Sequence, residues 1–342
     1  MGVYGITGLA AILAAGLALL VAAVPASRFT SRATLLGLGL AVLALGALLP
    51  SEFTRSTGRI RISALQPDVP QEDKFNQDLW DANLDALSTQ IEQARGDLVL
   101  SPETVVPLPL YDLSHAQMQR LDAAAQRRPL MLGTFLGNER VGFVNSLVGW
   151  GTAGGLSYDY GKHHLLPFGE FVPYGFHWLV EDMHIPMVDQ ARGQHERPFH
   201  VAGQRIRPLI CFEDLFGEDF VHSVVGPDAA TVLVNVSNLA WFGHLMVQDQ
   251  HLQFSQMRAL EFQRPFVRST NTGATAALDH HGQVLARLPP DRPGILECEV
   301  EGREGSTPYA RWLAVLGLWP LWFVALVPVM LQLGRSLRRP RP

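Results

Sequence analysis

Apolar positions in this chain are massed at its two ends and periodic in between. Tyr4–Val24 is an uncharged run of Leu, Ala, Ile, Val and Gly, about the length a helix needs to cross a hydrocarbon core at 1.5 Å per residue. Ala33–Leu49 is a second uncharged run, and Trp312–Leu333 a third, with Trp312, Trp319 and Trp322 placed as interfacial anchors. The first run is not read as a cleaved signal, because no basic residue precedes it and another apolar run follows at once. The pattern therefore predicts two transmembrane helices within residues 1–50 and one within 309–342.

Between the ends the period changes. Arg59–Leu65 alternates like a half-buried strand, and Phe75–Arg95 carries Trp80, Leu84, Leu87 and Ile91 on one helical face, with Gly96 at the expected C-cap. Asp97–Ser101 reads as a short strand, 115–127 as helix, 129–136 as strand, and 143–150 with 155–160 as a hairpin around Thr152–Gly154. Strand 205–211, helix 214–225, strand 230–236 and helix 246–263 follow, then four short strands near 265–270, 274–279, 283–288 and 294–300. Strands alternating with helices, and hairpins late in the chain, predict an α/β domain over about 58–305 with mixed sheets covered by helices.

Charge adds orientation. Arg28 and Arg32 lie between the first two apolar runs, and Arg335, Arg338, Arg339 and Arg341 follow the third. The positive-inside rule puts both sets in the cytoplasm and the middle domain on the outer face, with the N-terminus outside as well. Such an N-terminus is expected of the tail of a longer protein with further helices upstream. The net charge of −5, with no basic block in the middle, argues against a nucleic-acid partner. Two cysteines, Cys211 and Cys298, exclude a disulfide framework and leave a single bridge possible.

Three reactive residues stand at strand ends, where side chains project into loops. Glu103 follows Leu98-Val99-Leu100, Lys162 follows the hairpin, and Cys211 ends Pro208-Leu209-Ile210. A helix starting at Glu213-Asp214 would favour the Cys211 thiolate through its dipole, and the Phe212 N–H would face an oxyanion. Carboxylate base, ammonium and thiol together suffice for acyl transfer through a thioester. Taken singly, Cys211 is an ordinary buried thiol, as Cys298 is read here, Glu103 a helix cap and Lys162 a surface charge. The pairs His163–His164 and His280–His281 lack partners at ligand spacing and are read as packed or solvated, so no metal and no cofactor is expected.

The words around these residues are more specific. Ser101-Pro102-Glu103-Thr104, the run Gly161-Lys162-His163-His164-Leu165-Leu166-Pro167-Phe168-Gly169-Glu170-Phe171-Val172-Pro173, and Leu209-Ile210-Cys211-Phe212-Glu213 resemble the three catalytic motifs of the nitrilase, or carbon–nitrogen hydrolase, superfamily. Within it they are most similar to the apolipoprotein N-acyltransferase family, as are Val236–Gly243, Met257–Glu261 and Arg268–Gly273.

The resemblance implies an α-β-β-α sandwich flanked by transmembrane helices, its catalytic domain on the periplasmic face of a bacterial inner membrane. It implies transfer of an acyl chain from a phospholipid, typically phosphatidylethanolamine, through a cysteine thioester to the α-amino group of a lipoprotein's diacylglyceryl-cysteine. On matching positions Glu103 is general base and acid, Lys162 stabilises the oxyanion, and Cys211 is the nucleophile. Glu170 positions Lys162, Glu213 is a further motif residue, and Phe212 stands where some members have Tyr. Phe75 falls where some members carry a functional Trp; Asn238 and Trp241 belong to the remaining motif, in which Leu239 replaces an Asp. The family also has more N-terminal spans than the two seen here. A membrane-anchored amidase or nitrilase, or a non-catalytic membrane assembly component, are the competing readings. Tyr174–Met187, with Phe176, Trp178, Leu179 and Ile185, is either an interfacial segment or an ordinary packed helix and loop.

Overall fold

The computed structural model describes residues 2–21, 29–48, 50–151, 155–182, 189–193, 197–243 and 246–337. The turn Thr152–Gly154, the loop bearing Arg28, the tail with Arg338, Arg339 and Arg341, and the stretch 183–187 of the predicted interfacial segment lie outside them. The chain divides into two compact units, Thr54–Gly305 and the two ends taken together.

In the larger unit the strands are β1 (Thr54–Gln66), β2 (Leu98–Leu100), β3 (Leu130–Asn138), β4 (Gly142–Trp150), β5 (Leu156–Gly161), β6 (Phe199–Val201), β7 (Gln204–Ile210), β8 (Val232–Ser237), β9 (Phe266–Thr270), β10 (Ala276–Leu278), β11 (Val284–Arg287) and β12 (Gly294–Gly305). They form two six-stranded sheets, ordered β12-β1-β2-β3-β4-β5 and β11-β10-β9-β8-β7-β6. The parallel ladders are β1–β2–β3 in one sheet and β7–β8–β9 in the other, with antiparallel strands at the edges.

Side-chain alternation builds the layers. Ile60, Ile62 and Ala64 of β1, Leu98 and Leu100 of β2, and Met131 of β3 face Ile206, Ile210, Val232, Val234, Val236 and Val267 of the second sheet. The residues between them in sequence, Leu65, Val99, Leu130 and Leu132, pack outward on Leu84, Leu87 and Ile91 of helix Trp80–Gln93 and on Leu121 and Ala125 of helix His115–Arg127. Strands apolar on both faces follow from that double cover. Helix Val247–Phe262 covers the second sheet, with Phe262 stacked 5.2 Å from Phe220. The result is an α-β-β-α sandwich, each fully buried Leu or Val of its core contributing roughly 1.5–3 kcal/mol.

Several local expectations change. The helix expected over Phe75–Arg95 is a turn at Gln71–Lys74, a 3₁₀ turn at Gln77–Leu79 and then Trp80–Gln93. Its C-cap is Ala94, not Gly96; Gly96 serves a close approach, since a Cβ there would lie 2.6 Å from the Ser63 amide nitrogen. The helix expected over 214–225 is instead two 3₁₀ turns, Cys211–Leu215 and Gly217–Phe220, followed by the single helical turn Val221–Val224. Phe216, with ψ 81°, breaks the run. Strand β6 had no sequence signal. Cys211 and Cys298 are both free thiols, not a bridge.

In the smaller unit, helices Gly2–Val21 and Phe29–Ala47 approach closely through glycines: a Cβ on Gly39 would lie 2.5 Å from Leu13 Cδ2, and one on Gly16 2.8 Å from Leu36 Cδ2. No single described helix is long and apolar enough to cross a membrane; Gly2–Ala18 and Leu36–Ala47 are shorter apolar stretches. The third apolar run is not one helix. Gly317, at φ 55°, separates Pro308–Leu316 from the helix beginning at Trp319, and the pair, bent by 79°, meets the length and composition of a span only jointly.

Candidate active site

The topology explains why distant residues meet. β5 runs parallel to β2, because two antiparallel steps separate it from β3, so Glu103 and Lys162 emerge at the same end of their sheet. Cys211 and Asn238 leave the C-terminal ends of β7 and β8. Open α/β sheets place ligands at that end of their strands.

Lys162 is buried, and its Nζ lies 3.2 Å from Glu103 Oε1 and 2.7 Å from Glu170 Oε1. Asn145, projecting from β4, donates its Nδ2 to both carboxylates, at 2.8 Å and 3.2 Å. The other oxygens are taken by main-chain amides: Asn238 N donates to Glu103 Oε2 at 2.8 Å, and Leu166 N donates to Glu170 Oε2 at 2.8 Å. Burial alone would raise the Glu103 pKa, but Lys162, Lys74 and the donors from Asn238 and Asn145 outweigh it, and the carboxyl sits below its ordinary range. Burial likewise works against the Lys162 ammonium, and Glu103, Cys211 and Glu170 reverse it, holding the amine charged. The two groups form a buried, hydrogen-bonded ion pair.

Cys211 differs. Its backbone has φ 56°, a left-handed conformation that costs a non-glycine residue about 1–3 kcal/mol and so needs support. Asn235 supplies it by donating Nδ2 to the Cys211 carbonyl at 2.7 Å, and Ser237 Oγ donates to Asn235 Oδ1 at 2.5 Å. Glu213 supplies more. One carboxylate oxygen accepts from Ile210 N and Tyr160 Oη, both at 2.8 Å, and the other from His163 N at 2.7 Å and His164 N at 3.1 Å. Glu213 thus ties the Cys211 turn to the strand and loop that carry Lys162. Next in sequence, Asp214 is buried against Arg268 at 2.8 Å and Ser255 at 2.7 Å.

The expected helix dipole at Cys211 is absent, because only a five-residue 3₁₀ turn begins there. Burial, and then the negative charge of Glu103, push the thiol's pKa up, with Lys162 opposing. The resting group is therefore a neutral thiol beside an ionised carboxylate, an arrangement suited to proton transfer on attack rather than to a standing thiolate.

Among the other residues singled out, Phe212 is half-buried, with Lys162 Nζ 5.5 Å from its ring centre. Asn238 faces inward: its amide Nδ2 bonds Gln71 and its Oδ1 accepts from Asn271, so it braces Glu103 and the loop over β1 rather than presenting itself to a ligand. Phe75 and Trp241 are exposed, as are Phe168, Tyr174, Phe176 and Trp178. Asn145, Tyr160, Asn235 and Lys74 were not foreseen. Their one sequence signal is a lone polar or ionisable residue among apolar or loop neighbours.

Residues 63–309 match the carbon–nitrogen hydrolase family, and the chain belongs to it. Solved structures agree in fold: a CN-hydrolase superfamily protein of Xanthomonas campestris superposes with TM-score 0.53 at 19% identity, covering 76% of this chain and 96% of that one. A carbon–nitrogen hydrolase of Helicobacter pylori gives TM-score 0.53 at 16% identity, over 71% of this chain and 89% of its own. Among curated relatives the chain is similar to the apolipoprotein N-acyltransferases of Ralstonia nicotianae, 42% identical over 91% of this chain, and Verminephrobacter eiseniae, 42% over 76%. The match spans 60% and 51% of the length of those two proteins.

Proposed function

We propose that this chain carries the catalytic unit of an apolipoprotein N-acyltransferase. The observation that carries the reading is the buried Lys162 held between Glu103 and Glu170 beside a strained, neutral Cys211, in a chain 42% identical to proteins of that name. In the first half-reaction Cys211 Sγ attacks the ester carbonyl of a phospholipid, with phosphatidylethanolamine the expected donor, and Glu103 takes the thiol proton. Lys162 stabilises the oxyanion. The C–O bond breaks, Glu103 returns the proton to the departing alkoxide, and a lysophospholipid leaves behind an acyl thioester.

In the second half-reaction the free α-amine of a diacylglyceryl-cysteine attacks the thioester and Glu103 takes the amine proton. The C–S bond breaks, and the thiolate is reprotonated. Both substrates are lipids, which favours a bilayer-surface site over an amidase acting on small solutes. The apolar helices at the ends, and the arginines that follow the predicted spans, support a multi-pass bacterial inner-membrane location with this unit in the periplasm. Exposed Phe75 and Trp241 are the proposed substrate contacts. Incubation with acyl-labelled phosphatidylethanolamine is expected to give a hydroxylamine-sensitive adduct that Cys211→Ala abolishes. An adduct that survives this substitution overturns the reading.

A further inference from the structure

Lys74 stands outside the motifs that drew attention to the site, yet it is 5% exposed and reaches the same turn as Glu103. Its Nζ donates to the Glu103 main-chain carbonyl at 3.3 Å and to Thr104 Oγ1 at 2.6 Å. Both acceptors are neutral, and among the described residues no carboxylate oxygen lies within ion-pair distance of this ammonium. A buried cation left in that way is costly unless a nearby charge offsets it. Here the offsetting charges are Glu103 itself and, when it ionises, Cys211.

The held turn is also strained, with Thr104 at φ 43°, and it is jammed against β3, where a Cβ on Gly133 would lie 2.1 Å from the Pro102 carbonyl. On the other side the segment leading to Lys74 is clamped to the far sheet: Asn271 Oδ1 accepts from Val69 N at 2.9 Å, and its Nδ2 donates to Val69 O at 2.7 Å and to Asn238 Oδ1 at 3.1 Å. The next residue is the exposed Phe75, whose ring centre is 5.9 Å from Lys74 Nζ. Lys74 and Glu103 both line a small pocket of about 20 Å³ whose apolar wall includes Val69, Trp80, Leu84 and Val106.

We propose that Lys74 is a positioning residue for Glu103, a second ammonium that fixes the base's turn, keeps its carboxylate ionised and favours negative charge on Cys211. This role rests on the acyl-transfer reading only for its place in catalysis; the coupling to Cys211 belongs to the site whatever its substrate. The titratable groups that face Lys74 are Glu103 after β2 and Cys211 after β7, with Lys162 and Glu170 behind Glu103; on its own segment Glu72 is exposed and Asp73 half-buried. Burial pushes the Lys74 amine down to about 8, partly offset by Glu103 and Cys211, so the second ammonium is present at neutral pH and lost in mild alkali.

The test is alkylation of Cys211 by iodoacetamide in the full chain, located by mass spectrometry and followed from pH 6 to 10. In the wild type the rate is expected to rise with pH more shallowly above about 8, because thiolate formed there lacks the Lys74 charge. Lys74→Met is expected to react about tenfold more slowly at pH 7 with that inflection gone, about one unit of thiol pKa. Lys74→Arg, which stays cationic, is expected to recover most of the rate and also lose the inflection. An unchanged profile in Lys74→Met, or an inflection retained in Lys74→Arg, overturns the proposal. The arginine variant decides the matter even where the methionine variant fails to fold. Should labelled phospholipid never acylate Cys211 while these profiles hold, the substrate reading falls and the role of Lys74 stands.

Discussion

The two sheets deliver their candidate site residues in opposite states. The β2–β5 side contributes Glu103, Lys162 and Glu170, all buried, with Glu103 and Lys162 held charged, and closed by Asn145 and two main-chain amides. The β7 side contributes one neutral thiol on a backbone that is itself strained and needs bracing. Charge is stored where hydrogen bonds can satisfy it, and backbone strain where the thiol leaves its strand. Glu213 joins the two stores, bonding both the Cys211 turn and the Lys162 loop.

The largest expected effect comes from breaking the charged side. Lys162→Met leaves Glu103 and Glu170 buried without their cation. It is expected to cost about 3–5 kcal/mol in denaturant unfolding and to lower thioester formation by about a thousandfold or more. Acid should weaken the same side. Glu103 is held below its ordinary 4.5, so the acid limb of thioester formation is expected below that value, falling about tenfold per pH unit. The stability it contributes is present above the unfolded carboxyl's pKa and is lost as pH falls through the lowered one. A limb at or above 4.5 in a pH–rate profile would mean that Lys162 does not hold Glu103 ionised.

The link between the sides is the next target. Glu213→Gln turns one acceptor oxygen into an amide donor facing N–H groups, so about 1–3 kcal/mol and roughly tenfold in acylation rate are expected to be lost. Equal stability in the variant would show that the four donors find other partners. The smallest effect tests strain alone: Cys211→Gly is expected to unfold about 1 kcal/mol later than Cys211→Ala, since only glycine accepts φ 56° freely.

The same contrast decides how much was legible beforehand. The candidate site residues sit in contiguous words, so Glu103, Lys162, Glu170, Cys211 and Glu213 could be picked out, and period-2 runs such as Ile60, Ile62 and Ala64 marked the sandwich core. The bracing could not be read in this way. Asn145 is one amide in an apolar strand, Asn235 another, and nothing local announces that their partners lie on other elements. Lys74 is one charge among others in Gln71-Glu72-Asp73-Lys74, and its burial depends on a turn some thirty residues away. The helix expected after Cys211 failed because Glu213 and Asp214 point inward to buried partners, which a periodicity argument cannot see. In the third apolar run Gly317 turns the chain through its positive φ, which an uncharged run does not signal.

The central claim is that a neutral Cys211 is activated by Glu103 at the moment of attack. The direct measurement is peptide-level mass spectrometry of wild type and Glu103→Gln after a timed incubation with phosphatidylethanolamine vesicles. The account predicts an acyl mass on the peptide containing Cys211 in the wild type, none on that containing Cys298, and a rate at least about a hundredfold lower in Glu103→Gln. Acylation of Cys211 at an undiminished rate in Glu103→Gln would contradict it.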